Sequence, residues 1–395
     1  MSYQVQIVDG AAQAPDALWD SGFAPPLEGR WWYETMERSG LEDQFRFFYA
    51  LIERDGAAVG LAPLFVADVP IELVVPEELM PLFRIAGRVL PSLLVQRTLF
   101  VGSPCSDEGS VAVAAGEDRA AVFLALGRAL DVIARKHRAW MIAWKDFIDR
   151  DAADLARVVS EAGFFPAVSY PGTEIDFISS GKEDYFARMK PSHRQQLRRK
   201  LRRSVEQAPL DISVIQTPPS QVMDEVLGLF MQTYERAATR FERLDRRFFD
   251  EIAKYEGSWF ILLRHRDDGR LVAFMLCFLQ GDQVINKFIG LDYGRPKDWM
   301  LYFRLWDACV DWCLSRGVRR LQSGQTGYRV KIELGNRLIP LTNYGRHRNP
   351  LVNFVYAMVG KTISWATLDP ELARHLESHP DNASAAPAAW TDGKG

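Results

Sequence analysis

Apolar residues recur along this chain with two periods. Alternation predicts half-buried strands, and spacings of three and four predict helices with one face on a core. In the first half the pattern gives a strand at Gln4–Val8, a helix at Trp31–Ser39, and strands at Phe45–Glu53 and Ala58–Val66. Arg54-Asp55-Gly56 joins the last two through an Asp-Gly hairpin signal. Gln96–Val101 and Ala139–Ala143 read as strands, Asp118–Arg138 as a long helix, and Asp151–Gly163 as a helix stopped by its glycine. The second half repeats the grammar. A strand at Leu210–Val214 precedes helices at Pro219–Ala238 and Arg246–Tyr255 and three strands at Trp259–Arg264, Leu271–Gln280 and Gln283–Gly290. A helix at Asp298–Arg316, closed by Gly317, and a strand at Arg320–Ser323 follow. A meander that feeds a long helix and then one more strand makes a mixed, partly antiparallel sheet. It is not a dinucleotide fold, and no GxGxxG follows a strand. The expectation is a mixed α/β (α+β) protein of two domains, 1–175 and 176–367, followed by a C-terminal helix and a tail, disordered from Pro380, over 368–395.

Composition narrows the function classes. Of 395 residues, 48% are hydrophobic and 25% charged, which excludes collagen-like, disordered and disulfide-stapled chains. Lys and Arg number 48 against 51 Asp and Glu, a net charge of -3, so any attraction to phosphate must be local. Four cysteines in a chain this long argue for a reducing compartment. Cys309 and Cys313 share a helix face and read as buried thiols; no Cys/His cluster joins them, so no metal is expected. The N-terminus lacks a secretory pattern and no apolar run is long enough to cross a membrane, which makes the cytoplasm the expected location. Two apolar stretches, Ile71–Leu94 (with Leu79, Met80, Leu82, Phe83, Ile85 and Leu90) and Phe354–Trp365, read as core rather than membrane-surface segments, for want of a strongly basic polar face.

Three segments carry candidate chemistry. Arg188–Arg203 holds eight cations and no acid. On a helix, capped by Ser192, Arg194, Arg198 and Arg202 form a basic stripe beside an apolar one of Leu197, Leu201 and Val205. The stripe suits phosphate contact with a nucleotide, CoA or tRNA; the bland alternative pairs it with Glu206, Glu235 or Glu242. The stretch from Asn286 to Tyr302 contains a strand end, a loop and a helix start, where free N–H groups favour an anion, although Asp298 serves equally well as the N-cap. In Ser323–Gly335 two glycines allow close backbone approach, and Tyr328 and Lys331 share a helical face. A lysine there stabilises negative charge on a carbonyl or phosphate, or is simply a surface lysine beside a packed tyrosine. No Ser/His/Asp set, paired-carboxylate motif, P-loop or HExxH is present. Of six scattered histidines, only His193, at the start of the basic helix, invites attention, and a capping or surface role is its commoner reading.

The succession RQQLRRKLRR, strand meander, GLDYGRPKDWMLYFRLWDACVDWCLSRGV and LQSGQTGYRVKIELG resembles the GNAT-superfamily N-acyltransferases. The nearest branch includes the Fem-type peptidoglycan aminoacyltransferases and their acyl-CoA-linked relatives. The resemblance is clearest over Tyr185–Tyr344, and the first half resembles the degenerate GNAT-like partner domain more weakly. Its most specific piece is Tyr328-x-x-Lys331 followed by Gly335. The resemblance implies two GNAT-like domains and transfer of an acyl group from acyl-CoA or acetyl-CoA to an amine of a small molecule, peptide or cell-wall precursor. It implies catalytic roles for Lys331, on a phosphate or oxyanion, and for Tyr328 and Tyr293, orienting groups or relaying a proton. Arg194, Arg198, Arg202, Asn286, Lys287, Gly324 and Gln325 would hold the donor, with no metal. Two alternatives stand beside it: a Fem-type transferase using aminoacyl-tRNA, and a noncatalytic protein that binds anionic glycan or lipid through the basic helix. One departure is plain. The family's pyrophosphate loop, Arg/Gln-x-x-Gly-x-Gly/Ala, reads here Arg295-Pro-Lys-Asp-Trp-Met-Leu301, where Trp299 and Met300 are expected to obstruct a pyrophosphate.

Overall fold

The computed structural model describes residues 3–71, 80–89, 94–179, 181–237, 240 and 242–378. The chain forms two compact units. The first takes Met1–Glu37, Leu41–Pro171 and Ile339–Gly395, the second Arg38–Gly40 and Gly172–Leu338.

The first unit is built on a sheet of β1 (Tyr3–Val8), β2 (Arg46–Arg54), β3 (Ala57–Pro70), β4 (Val95–Val101), β5 (Ala112–Val113), β6 (Met141–Ile148), β7 (Phe165–Val168) and, from the far end of the chain, β15 (Leu341–His347). The spatial order is β1-β2-β3-β4-β6-β15-β7, with β5 on β3. The β2–β3 hairpin turns where expected, because Asp55 (φ 52°) and Gly56 (φ 80°) both adopt the left-handed conformation that matches strand twist. β4 and β6 run parallel, joined by the helix Arg119–Lys136. That helix buries Val122, Phe123, Leu126 and Leu130 in one core with Ile52, Leu64, Leu99 and Trp144 from the sheet.

The second unit has the order β14-β8-β13-β12-β11-β10-β9. Its strands are β8 (Gly172–Asp176), β9 (Leu210–Ile215), β10 (Ser258–His265), β11 (Leu271–Gln280), β12 (Gln283–Leu291), β13 (Arg320–Gln322) and β14 (Arg337–Ile339). β11 is buried at almost every position, because the helices Ser220–Arg236 and Leu301–Ser315 both pack on it; a strand covered on both faces reads as a continuous apolar run. Gly290 permits close packing on β12, since a Cβ there would stand 2.3 Å from the Phe274 ring and 2.7 Å from the Leu229 backbone. β12 and β13 are parallel, connected by Leu301–Ser315. That helix buries Leu305, Trp306, Cys309, Val310 and Cys313. All four cysteines are free and buried, with the Cys309 and Cys313 sulfurs 4.0 Å apart as their spacing implies.

Several expectations are corrected. The segment expected to complete a domain ending at 367 joins the first unit from Ile339, because β15 pairs with β6 and β7. The pattern does not give the strands β7, β8, β14 and β15; the first three are short, and the partners of all four lie far away in sequence. The basic helix spans Pro191–Gln207, with proline at its first position and no side-chain cap, so Ser192 is inside it rather than capping it. Within Ile71–Leu94 a helix forms at Met80–Val89; Ile71 and Met80 are buried, Ile85 is exposed, and the side chains of Leu79, Leu82, Phe83 and Leu90 lie outside the described residues. Trp365 is core, but Phe354, Val355 and Met358 face solvent. The tail from Pro380 also lies outside the described residues. No helix of the described residues is long and apolar enough to cross a membrane.

Candidate active site

The parallel pair of the second sheet opens along its length. β13 meets β12 only from Gln283–Ile285 against Arg320–Gln322, whereas β12 continues to Leu291. From Asn286 onward, β12 has no strand on that side. A bulge against β11 makes Lys287 the extra residue and bends β12 at the same level. Two buried polar groups sit where the strands part. The Asn286 side chain makes no hydrogen bond among the described residues, and the Ser323 hydroxyl is buried without a partner. Native interiors seldom leave such groups unsatisfied, so each asks for an explanation.

The chain then enters a tight loop in which Gly324 (φ 60°), Thr326 (φ 64°) and Gly327 (φ 63°) are all left-handed. Lys331 holds this loop from the helix Tyr328–Glu333. It is 7% exposed, and its ammonium donates to the carbonyl of Ser323, to that of Gly324 at 3.3 Å and to that of Gln325 at 3.0 Å. The Thr173 hydroxyl donates to the Gly324 carbonyl as well, at 2.7 Å. In planar trans peptides, carbonyls drawn toward the lysine turn the following N–H groups, those of Gly324, Gln325 and Thr326, the opposite way. Successive N–H groups in such a turn make a concavity suited to an anion. Lys331 is therefore no surface lysine, and Tyr328, the first residue of its helix, is fully buried. The Asn336 amide closes the helix by donating to the Lys331 carbonyl at 2.8 Å.

The helix Leu301–Ser315 starts abruptly. A 3-10 turn, Lys297–Trp299, leads to Met300 in the left-handed conformation (φ 48°), and no side chain caps the helix. Arg304 is the first residue whose N–H finds a carbonyl, that of Met300 at 3.1 Å; the N–H groups of Leu301, Tyr302 and Phe303 have no acceptor among the described residues. Two expectations change here. Asp298 is not the cap; it pairs with Arg203 at 2.6 Å. Trp299 does not obstruct the helix start; it is buried, with its ring 4.7 Å from that of His265 and the Arg295 guanidinium 5.1 Å away.

The basic helix packs against this start. The Ser204 hydroxyl donates to the Trp299 carbonyl, and Arg304 donates to Ser204 at 3.4 Å. Burial lowers the pKa of Arg304, opposed by the nearby Asp307 carboxylate. The expected arginine stripe is divided. Arg198 pairs with Glu183 and covers the Phe186 ring, and Lys200 pairs with Glu333 at 3.2 Å over the Phe303 ring. Arg194, Arg199 and Arg202 have no partner among the described residues. Arg199 stands three residues from Arg202 and four from Arg203, so it adjoins both on the side of the helix from which Arg203 reaches Asp298. The acids Glu183, Glu333 and Asp298 pair with the helix. Val205 is exposed, so the apolar stripe stops at Leu201.

Of the remaining candidates, Tyr293 is half-exposed on the loop after β12, with the Arg236 guanidinium 4.6 Å from its ring. Sequence reasoning missed Glu174, and named Arg199 and Ser323 only as members of the basic run and of the Ser323–Gly335 segment. Glu174, on β8 opposite Gln322, has its carboxyl pKa raised by burial against the pull of Arg337 and Arg320. No spacing in the sequence marks Glu174. Among the described residues no group of His, Cys, Asp and Glu could hold a metal ion.

Residues 191–331 match the family model of an acetyltransferase (GNAT) domain. The fold is similar to that of FemX (13% identity, 90% of this chain and 100% of that chain covered, TM-score 0.56). It is also similar to a tandem GNAT protein from the clavulanic acid biosynthesis pathway (11%, 88% and 99%, 0.51) and to a conserved protein of unknown function from Bacteroides thetaiotaomicron VPI-5482 (13%, 87% and 99%, 0.50). At these identities the likeness is one of fold. No curated protein matches the sequence.

Proposed function

We propose that this chain, a GNAT-type acyltransferase with a Fem-like double-GNAT fold, transfers an acyl group from acyl-CoA to an amine of a small molecule, peptide or cell-wall precursor, and that the second unit does the chemistry. The observation that carries the reading is the uncapped start of Leu301–Ser315 beside the opening pair β12 and β13. Free N–H groups at the positive end of a helix bind a diphosphate, and Arg199 and Arg202 add charge on the adjoining helix. The free edge of β12 from Asn286 suits an extended, amide-bearing arm, which pairs as an added strand does.

The amine nitrogen attacks the thioester carbonyl, the carbon–sulfur bond breaks, and the proton that the nitrogen gives up passes to the leaving thiolate, directly or through water, so that the products are the amide and the free CoA thiol. The N–H groups of Gly324, Gln325 and Thr326 stabilise the oxyanion. Lys331 is then a positioning residue that aims them, since its three donors are already engaged, rather than a phosphate ligand. Tyr293 is open to an acceptor, whereas Tyr328 packs. Orientation of the two substrates supplies ~7–11 kcal/mol of the barrier.

The three unpaired arginines favour a second reading, in which aminoacyl-tRNA is the donor. It ranks lower because RNA normally calls for a more extensive basic surface.

Thermal shift with acetyl-CoA, longer acyl-CoAs and free CoA, run beside a gel shift with charged tRNA, separates the two. A rise in Tm with CoA that disappears in the double variant Arg199→Ala/Arg202→Ala supports the acyl-CoA reading. No CoA effect together with a salt-sensitive tRNA shift overturns it in favour of the second.

A further inference from the structure

The helix Pro350–Gly360 of the first unit is built inside out. Its polar and small positions face the protein. Asn353 accepts from the His347 N–H at 2.8 Å and donates to the Gly163 carbonyl at 3.2 Å. The Tyr356 hydroxyl donates to Gln96 at 3.3 Å, and Gly360 lies against Phe165 and Pro166. The opposite face carries Leu351, Phe354, Val355 and Met358, a spacing of three, four and seven that makes one continuous stripe. All four are 51% to 79% exposed. An isolated exposed leucine needs no explanation, but four large apolar side chains in register do.

The neighbouring helix extends the patch. Met80, at the start of Met80–Val89, shares a small cluster with Ile71 and Tyr356, so the two helices are adjacent. On Met80–Val89, Ile85 is exposed, as are Arg84 and Arg88. Lys361 follows directly after Gly360 and is also exposed. None of these three cations has a partner among the described residues, and neither helix contains an acid.

We propose that this face of the first unit lies on an anionic phospholipid bilayer, with the Leu351/Phe354/Val355/Met358 stripe inserted at the level of the headgroups and Arg84, Arg88 and Lys361 set against the lipid phosphates. Charge complementarity selects this occupant. Among the described residues of these two helices and Lys361, the apolar stripe is accompanied by unpaired cations and no acid, which gives the two signals that stable but reversible surface binding requires without a membrane-crossing helix. The sequence argued against such a role for lack of a basic polar face; the cations come instead from a second helix and from the residue beyond the first. The inference is independent of the acyl donor proposed above.

The test is co-flotation of the full chain at low salt with vesicles of phosphatidylglycerol and phosphatidylcholine, compared with phosphatidylcholine alone. Two variants accompany it, Phe354→Glu/Met358→Glu and Arg84→Gln/Arg88→Gln/Lys361→Gln. Both change solvent-facing side chains, and far-UV circular dichroism checks the fold. The wild type is expected to float with the anionic vesicles. Removing the three cations weakens binding on the order of 100-fold, about fivefold for each, and the acidic pair loses it. Absence of wild-type flotation, or flotation unchanged in both variants, overturns the proposal. So does a dimer in solution that Phe354→Glu/Met358→Glu converts to a monomer without any vesicle binding, which would make the face a self-association surface. Binding seen only after removal of residues 379–395 overturns it for the full chain, with the tail as the occupant.

Discussion

The two units repeat one topology and treat its central opening in opposite ways. In each, four antiparallel strands lead to a helix and a parallel fifth strand: β1-β2-β3-β4 and β6 in the first, β9-β10-β11-β12 and β13 in the second. In the first unit the crossover helix is capped by Asp118, whose carboxylate accepts the Ala121 N–H at 3.1 Å. The site is also filled by its own polar network. Asp146 takes a left-handed conformation (φ 59°), and its carboxylate meets Lys145 and the Ser169 hydroxyl. Lys145 also donates to the Ser106 carbonyl at 3.1 Å, and the Asp146 N–H donates to the Asn343 side chain at 2.8 Å. In the second unit the helix start is uncapped, and the lysine is tied to backbone carbonyls rather than to a carboxylate. The same fold can therefore satisfy its helix dipole internally or leave it for a ligand. A carboxylate at the cap is enough to decide, because it occupies the donors and repels a second anion.

The contrast can be broken most severely at the lysines. Lys331→Met leaves three carbonyls without their donor and lets the loop relax. We expect kcat to fall on the order of 10²–10³-fold, the cost of misplacing oxyanion donors, with a lower Tm. Lys145→Met is expected to lower Tm and leave steady-state kinetics unchanged. Equal losses of activity in the two variants would mean that the units are functionally alike.

A smaller effect is expected from exchanging the caps. Met300→Asp gives the second helix the carboxylate that the first has, in a left-handed conformation that Asp tolerates better than Met. Donor binding by titration calorimetry should weaken about tenfold or more, as expected where a partly buried helix-end attraction of ~1–2 kcal/mol is replaced by repulsion, whereas Met300→Asn should bind nearly normally. Asp118→Ala should cost about 1 kcal/mol of stability without changing donor affinity.

The division of the arginine stripe predicts a still smaller difference. Arg199→Gln/Arg202→Gln should weaken an anionic donor several-fold and flatten its dependence on salt, whereas Arg198→Gln, whose partner Glu183 is an exposed surface ion pair, should alter binding little. Equal effects would return the candidate to the stripe read from spacing.

The slightest effect concerns acid. In the first unit His137, stacked on Phe48, and His347, stacked on Trp140, have pKa values lowered by burial from the ordinary 6.5. The fold favours their neutral rings, so their contribution is fully present above pH 6.5 and is lost as the pH falls from there toward the lowered values. Hydrogen exchange should show the first unit loosening before the second in that window. The reverse order would remove the histidines from the comparison.

Much of this was legible in the sequence. Asp55-Gly56 announced its hairpin, Gly163 and Gly317 their helix ends, and the meander before Asp298 its mixed sheet. The motif succession identified the second unit, and Lys331 and the Gly324–Gly327 loop were singled out before their geometry was known. The role of Lys331 was not legible, because spacing places a side chain on a face without saying whether that face meets solvent or a ring of carbonyls. Arg199 was passed over for Arg198 because Glu183 lies on another element, and the strand memberships of β8 and β15 were invisible because their partners are remote in the chain.

The sequence by itself determined the long helices, the strands of the two meanders and their handed turns, since these depend on interactions within a few residues. Only the tertiary structure decided which cations are paired, which helix start is open, and that the apolar stripe of Pro350–Gly360 faces outward while its asparagine and tyrosine face in. A period records that a helix has two unlike faces; only the bodies packed around it determine which face is left to the solvent.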